Sequence, residues 1–86
     1  MKPQIAQTLA LKALGFIADS DGALERLMEQ SGLDLGALRK RAGDSDMLAS
    51  ILDFLLADED LLVGFCGAES LDPRQIHLAR HVLGGA

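Results

Sequence analysis

The chain contains no tryptophan, no tyrosine and only three phenylalanines, so aromatic residues make up 3 % of it. A sheet protein of this size leans on aromatic and β-branched side chains to fill its pleated faces, whereas here Leu and Ala supply most of the 49 % hydrophobic content. An all-α fold follows. A single cysteine, Cys66, excludes an internal disulfide, and no Cys-x-x-Cys or His-Glu-x-x-His pattern begins a metal site. Basic residues are scarce: eight Lys and Arg stand against thirteen Asp and Glu, a net charge of −5. Nucleic acids and anionic membranes are bound mainly through excess Lys and Arg, so this balance disfavours both as partners. Apolar runs span only a few residues, and Gln4, Gln7, Thr8 and Lys12 break the pattern that a secretory signal needs. The expectation is a cytoplasmic protein without a membrane segment.

At 86 residues the chain is read as one domain, 1–86. Such a chain buries roughly 60 to 65 % of its unfolded surface and needs no metal or disulfide to hold it. What the sequence does have is a repeat. Shifted by 38 positions, Leu14 falls on Leu52, Phe16 on Phe54, Leu24 on Leu62, Leu33 on Leu71 and Asp34 on Asp72. Between these identities chemical character is kept: Leu9 with Met47, Ile17 with Leu55, Asp21 with Glu59, Leu27 with Phe65, Leu38 with Ile76. The period suits a helical repeat, and no catalytic group recurs in it. The pseudo-repeats cover about residues 5–43 and 43–81.

Pro3 suits a first helical turn, and Ile5, Ala6, Leu9, Ala13, Phe16 and Ile17 follow at helical spacing until Asp19-Ser20-Asp21-Gly22 interrupts them. A second helix carries Leu24, Leu27 and Met28 and stops at Gly32, with Leu33 placed to fold back onto it. Asp34 caps a third short helix carrying Leu38 and ending at Gly43. Asp44-Ser45-Asp46 opens a fourth, whose polar stripe is only Asp46, Ser50, Asp53 and Ala57. That helix should be central, covered on most sides. The matching stripe on the first helix is Thr8, Lys12, Gly15 and Asp19. Asp58-Glu59-Asp60 opens a fifth helix with Leu62, Phe65 and Cys66. Asp72-Pro73-Arg74-Gln75 opens a sixth as a capping box, closed by Gly84-Gly85. The reading is a bundle of six short helices, two three-helix units that should share one packing solution.

Leu9-x-Leu11-x-Ala13-Leu14, Phe16-Ile17-Ala18, Gly32-Leu33-Asp34, the run Ile51-Leu52-Asp53-Phe54-Leu55-Leu56-Ala57-Asp58-Glu59 and Leu71-Asp72-Pro73 together give the chain a recognisable outline. In these segments it resembles a family of small alphaproteobacterial proteins catalogued as a domain of unknown function, number 3572. The resemblance implies a compact helical protein of about this length and carries over no functional residue.

Each candidate site has a plain structural reading beside it. Helix two, Gly32-Leu33-Asp34 and helix three match the spacing of a helix-turn-helix, with Arg39, Lys40 and Arg41 as possible DNA contacts. The start of that recognition helix, however, is Leu35, Gly36 and Ala37 behind an anionic Asp34, and basic residues in a last turn also complement the helix dipole. His77 and His81, four apart, could face one metal ion, but two ligands do not make a site. Cys66 sits at core spacing without a neighbouring cation. Ser45 and Ser70 lie in sequences that miss the Asp-Ser-Leu site of acyl carrier proteins, and the acidic clusters all begin helices, where capping explains them. No catalytic set and no cofactor is expected.

The sharper clue lies in the repeat. Glu25, Arg26 and Glu29 of helix two should face water, yet their counterparts on helix five are Val63, Gly64 and Gly67. Two glycines inside a helix cost about 2 kcal/mol relative to alanine, so this bare face points to close approach by another backbone. A partner protein, a second copy, or the chain's own sixth helix or terminus would cover it. The expected role is a non-enzymatic protein-interaction module, with a small DNA-binding regulator as the alternative.

Overall fold

Seven of the thirteen residues in Ser45–Ala57 are buried, and this helix is the spine of the molecule. The computed structural model describes residues 1–32, 34–41 and 43–84, and of Leu35 the backbone alone. Among these residues the elements are α1 Pro3–Asp19, α2 Ala23–Ser31, α3 Leu35–Lys40, α4 Ser45–Ala57, α5 Glu59–Glu69 and α6 Pro73–Leu83, with no strand. The expected contacts of Leu33 and the expected stop at Gly85 lie outside the described residues.

Local chemistry starts and stops each helix much as the sequence implies. The Asp44 carboxylate accepts from the Asp46 and Met47 amides, Asp58 from Leu61 and Asp34 from Ala37, satisfying N–H groups that a helix start leaves open. Asp72 accepts from Arg74 N–H at 2.9 Å while its own amide donates to Gln75 Oε1 at 2.9 Å, completing the capping box. At the end of α2, Gly32 takes the left-handed conformation with φ 72°. Its counterpart at the end of α5 is Ser70, with φ 55°, a position where an L side chain costs about 1 kcal/mol over glycine. The Leu71 amide donates to the Cys66 carbonyl at 2.8 Å across this turn, so the left-handed residue closes the helix in spite of its side chain.

α1, α4 and α6 pack against one another as a triangle; α2 lies on α1 and α4, and α5 lies on α1, α4 and α6. The buried residues of all six helices form one core, in which Ile17, Leu38, Leu48, Ile51, Leu52, Leu55, Phe65 and Ile76 are the large, fully enclosed side chains. On α4 the exposed positions after the first residue, Ser45, are Asp46, Ser50, Asp53 and Ala57, the stripe expected of a central helix. Ile5, read as part of the apolar pattern of α1, is instead 52 % exposed, and Ala10 takes its place among the enclosed positions. Ala6, Ala10, Ala13 and Ile17, all buried, define the inward face of α1, and Ile5 projects off that face.

Three element boundaries keep the spacing of 38 residues, whereas the starts of α1 and α4, the starts of α2 and α5, and the ends of α3 and α6 do not. α1 and α4 end at Asp19 and Ala57, α2 and α5 at Ser31 and Glu69, and α3 and α6 start at Leu35 and Pro73, each pair 38 apart. Burial follows too: Leu9, Ala10, Ala13 and Ile17 of α1 match Met47, Leu48, Ile51 and Leu55 of α4. The third members part company. α6 runs 11 residues and buries Ile76, Ala79 and Leu83, whereas α3 runs 6 residues and contributes Leu38. A six-residue helix has room for little more than one inward position, so α6 joins the triangle and α3 stays at its edge.

Truncating Leu52 or Leu55 to Ala, each fully buried, should therefore cost about 2 to 5 kcal/mol, read as a lowered urea midpoint at unchanged slope. A pH series supplies a second test. Backbone amides of Met47 and Asp46 hold the Asp44 carboxyl below the usual carboxylate range; the Leu61 amide and the Arg26 guanidinium do so for Asp58, and Arg74, by side chain and backbone, for Asp72. A carboxyl whose folded pKa is depressed contributes stability above its unfolded pKa and loses it as pH falls through the folded value. Urea midpoints should stay level from neutral pH down to about 5 and drop below about 4. Asp58→Asn, which keeps a capping oxygen, should flatten that drop.

Candidate functional site

Helix α5 carries the face that the repeat singles out, and α1 covers part of it. The Phe16 ring stands edge-on to Phe65, centroids 5.6 Å apart and planes at 63°, and lies over Gly64. A Cβ on Gly64 would come within 3.0 Å of Phe16 Cζ, so the close approach that this glycine permits is made by a ring of the same chain. Gly64, Val63 and Gly67 all remain exposed, so the ring of α1 meets one edge of this face without enclosing it. One turn away Lys12 Nζ reaches Glu69 at 3.4 Å, the second link between these helices. Val63 remains 60 % exposed, and a Cβ on Gly67 would meet nothing within 4 Å.

The facing residues of α2 are not all solvated either. Arg26, read as a surface charge, lies 5.8 Å from the centre of the Phe54 ring and donates to the Asp58 carboxylate at 3.1 Å, tying α2 to α4 and to the cap of α5. Its counterpart 38 positions on is Gly64. Asp53, assigned to the solvent stripe, accepts from Arg80 Nε at 2.6 Å and joins α4 to α6. Nothing in the local sequence signals either pairing, because the partners are 32 and 27 residues apart.

Depressions among the described residues include one of about 380 Å³, its lining about as polar as it is apolar, that runs between α2 and α4, past Gln30, Arg41, Asp46, Ser50 and Phe54. A second of about 350 Å³ continues it past Arg26 and the acidic start of α5. A third, about 380 Å³, is apolar: Leu11, Leu14, Gly15 and Ala18 of α1, Leu24 of α2, and Leu38 and Arg39 of α3 line it. Leu11 at its edge is 44 % exposed, and a Cβ on Gly15 would meet nothing within 4 Å. Sequence reasoning placed Gly15 in the polar stripe and gave Leu11 no separate role; the signal was present, since α1 carries apolar residues at 11, 14 and 18 beyond those its inward face uses.

The basic trio does not form one patch. Arg39, Lys40 and Arg41 are all exposed, but Arg39 borders the apolar groove while Arg41 borders the one between α2 and α4 and pairs with Asp44 at 3.5 Å. His77 and His81 are exposed on α6, and no group of three or more His, Cys, Asp or Glu side chains that could hold a metal ion occurs among the described residues. Cys66 is free and buried, and burial pushes its thiol up, which makes the thiolate scarcer still.

The two glycines of α5 should respond differently to substitution. Gly67→Ala gains helix propensity in open space and should stabilise by about 0.5 to 1 kcal/mol; Gly64→Ala must displace the Phe16 ring and should gain less or nothing. Urea denaturation of the two variants side by side measures the contrast.

No helix among the described residues is long and apolar enough to cross a membrane. No curated protein and no solved structure matches the chain. Residues 3–86 match the model of the family described as protein of unknown function, DUF3572, and with nearly its whole length covered the chain belongs to that family.

Proposed function

We propose that the chain is a small cytoplasmic protein-interaction module with no enzymatic activity of its own, working through a partner protein or a second copy of itself. The observation that carries this reading is the apolar groove between α1, α2 and α3, open to solvent with Leu11 44 % exposed at its edge. Apolar surface gathered in a groove between helices is a common place for another helix to dock. Val63 on α5 adds a separate exposed apolar point. The non-enzymatic part is supported by the state of the one thiol, buried in the core with its ionisation suppressed. The cytoplasmic part rests on composition, an acidic chain with a single cysteine.

One observation favours the second reading, a helix-turn-helix-like DNA-binding regulator: Arg39 and Lys40 stand exposed in the last turn of α3. Arg41, drawn to Asp44 and towards the other groove, does not join them, and a six-residue recognition helix offers few positions to a DNA groove.

A photo-crosslinking side chain at Leu11, installed in the protein's own cells, should give a discrete protein adduct that mass spectrometry identifies and that re-forms from purified components. The same group at Ser50, on the α4 stripe, should give none. Absence of any adduct from Leu11 or Val63, together with retention of mixed duplex DNA at physiological salt, would replace the module reading by the regulator.

A further inference from the structure

We infer that the groove between α1, α2 and α3 receives an amphipathic helix of a partner protein, with an apolar stripe seated on α1 and an acidic flank facing α3. The inference rests on the interaction-module reading and specifies its occupant. Gly15 is its first support. A glycine inside a helix costs about 1 kcal/mol relative to alanine. Among the described residues neither backbone conformation nor packing calls for it, because the left-handed glycines there are Gly22 and Gly32 and a Cβ at position 15 would meet none of those residues within 4 Å. Gly64, by contrast, is occupied by Phe16. What Gly15 does provide is depth, since it lines the groove beside Leu11 and Ala18.

Charge supplies the second support. Of eight Lys and Arg residues, Lys12, Arg26, Arg41, Arg74 and Arg80 pair with carboxylates of the chain. The other three, Lys2, Arg39 and Lys40, make no ion pair among the described residues, and of these Arg39 lines the groove while Lys40 is its neighbour in sequence on α3. The basic edge of the groove is thus left for an incoming acid, and Asp19 and Asp21, which follow Ala18 at the α1–α2 connection, confine that acid to the α3 flank. The occupant is helical because a helix satisfies its own backbone, whereas an extended segment in an apolar groove between helices would leave amide and carbonyl groups unpaired. A second copy offers no acidic apolar helix to it: the exposed Leu78 of α6 shares its helix with Arg74 and Arg80 and no acidic residue, Met1 and Ile5 have Lys2 beside them, and α5 offers Val63 alone.

Synthetic helical peptides of about four turns, with leucines at i, i+3 and i+7 and Glu, Gln or Lys on one flank, test this by fluorescence anisotropy and amide chemical shifts of the intact chain. The Glu peptide should bind roughly tenfold more tightly than the Lys peptide, with shifts centred on Leu11, Gly15 and Leu38. Reversing both rim charges, Arg39→Glu with Lys40→Glu, should invert that order. Gly15→Leu should abolish binding of all three peptides without lowering the melting temperature, and Gly15→Ala should raise the melting temperature while weakening binding. If the Lys peptide binds as well as the Glu peptide, the acidic occupant is overturned while the groove still stands as a docking site. If no peptide shifts the groove residues and Leu11 gives no crosslinked adduct, the module reading falls with it. Competition of a mixed duplex DNA for Arg39 and Lys40 at physiological salt would likewise overturn the proposal in favour of a nucleic-acid partner.

Discussion

The enclosure of α4 by α1 and α6 is the constraint on which the other helices depend. Leu48, Leu52 and Leu55 of α4 are fully buried, as are Ala6, Ala10 and Ala13 of α1 and Ile76 and Ala79 of α6. The large side chains of the central helix share the core with the alanines of its neighbours, Ala6, Ala10, Ala13 and Ala79, and small residues between helices let their axes draw close. With that triangle in place, α2 and α5 have only its open flanks to cover, each anchored by one large buried side chain, Leu27 and Phe65. Among the described side chains of the short α3, Leu38 attaches it to the core, and its position at the edge is what opens the groove beside it.

Polar contacts then fix orientation more than they add stability. Arg26 to Asp58, Arg80 to Asp53 and Lys12 to Glu69 each join two helices, and all are partly exposed, where an ion pair contributes at most about 1 kcal/mol. Their effect on the surface is larger. With the pairs of Arg41 and Arg74 they draw five of the eight Lys and Arg into intrachain pairs, which leaves Lys2 at the start of the chain and the adjacent Arg39 and Lys40 on α3. An acidic chain with one small basic edge next to an apolar groove has a directional surface, and that directionality is what the proposed partner reads.

The glycines show how one residue type serves several physical ends. Gly32 ends α2 in a conformation that its counterpart Ser70 reaches only at a cost, Gly64 makes room for the Phe16 ring, and Gly15 leaves a groove unfilled. From the sequence all three are glycines at or near helices. Gly64 and Gly67 were singled out there as a bare face for a partner or for the chain itself to cover, and the packing divides them, since a Cβ on the first would meet the Phe16 ring and one on the second would meet nothing among the described residues.

The sequence by itself determined the all-α class, the six helices and nearly all of their ends, because those follow from interactions within a few residues: Asp34, Asp44, Asp58 and Asp72 each cap amides two or three positions on. It also determined that α4 is central, since a helix apolar on most of its circumference has no other stable place. Tertiary structure alone decided which apolar residues stay outside, as Ile5 and Leu11 do, because periodicity gives the width of a hydrophobic face but not what packs against each part of it. It decided that α3 and α6, which start 38 residues apart, differ in length and so in how many residues reach the core. It decided as well that Arg39 and Arg41, two residues apart, serve different grooves, since a helix turns about 100° per residue and only the neighbours on each side define what a side chain meets.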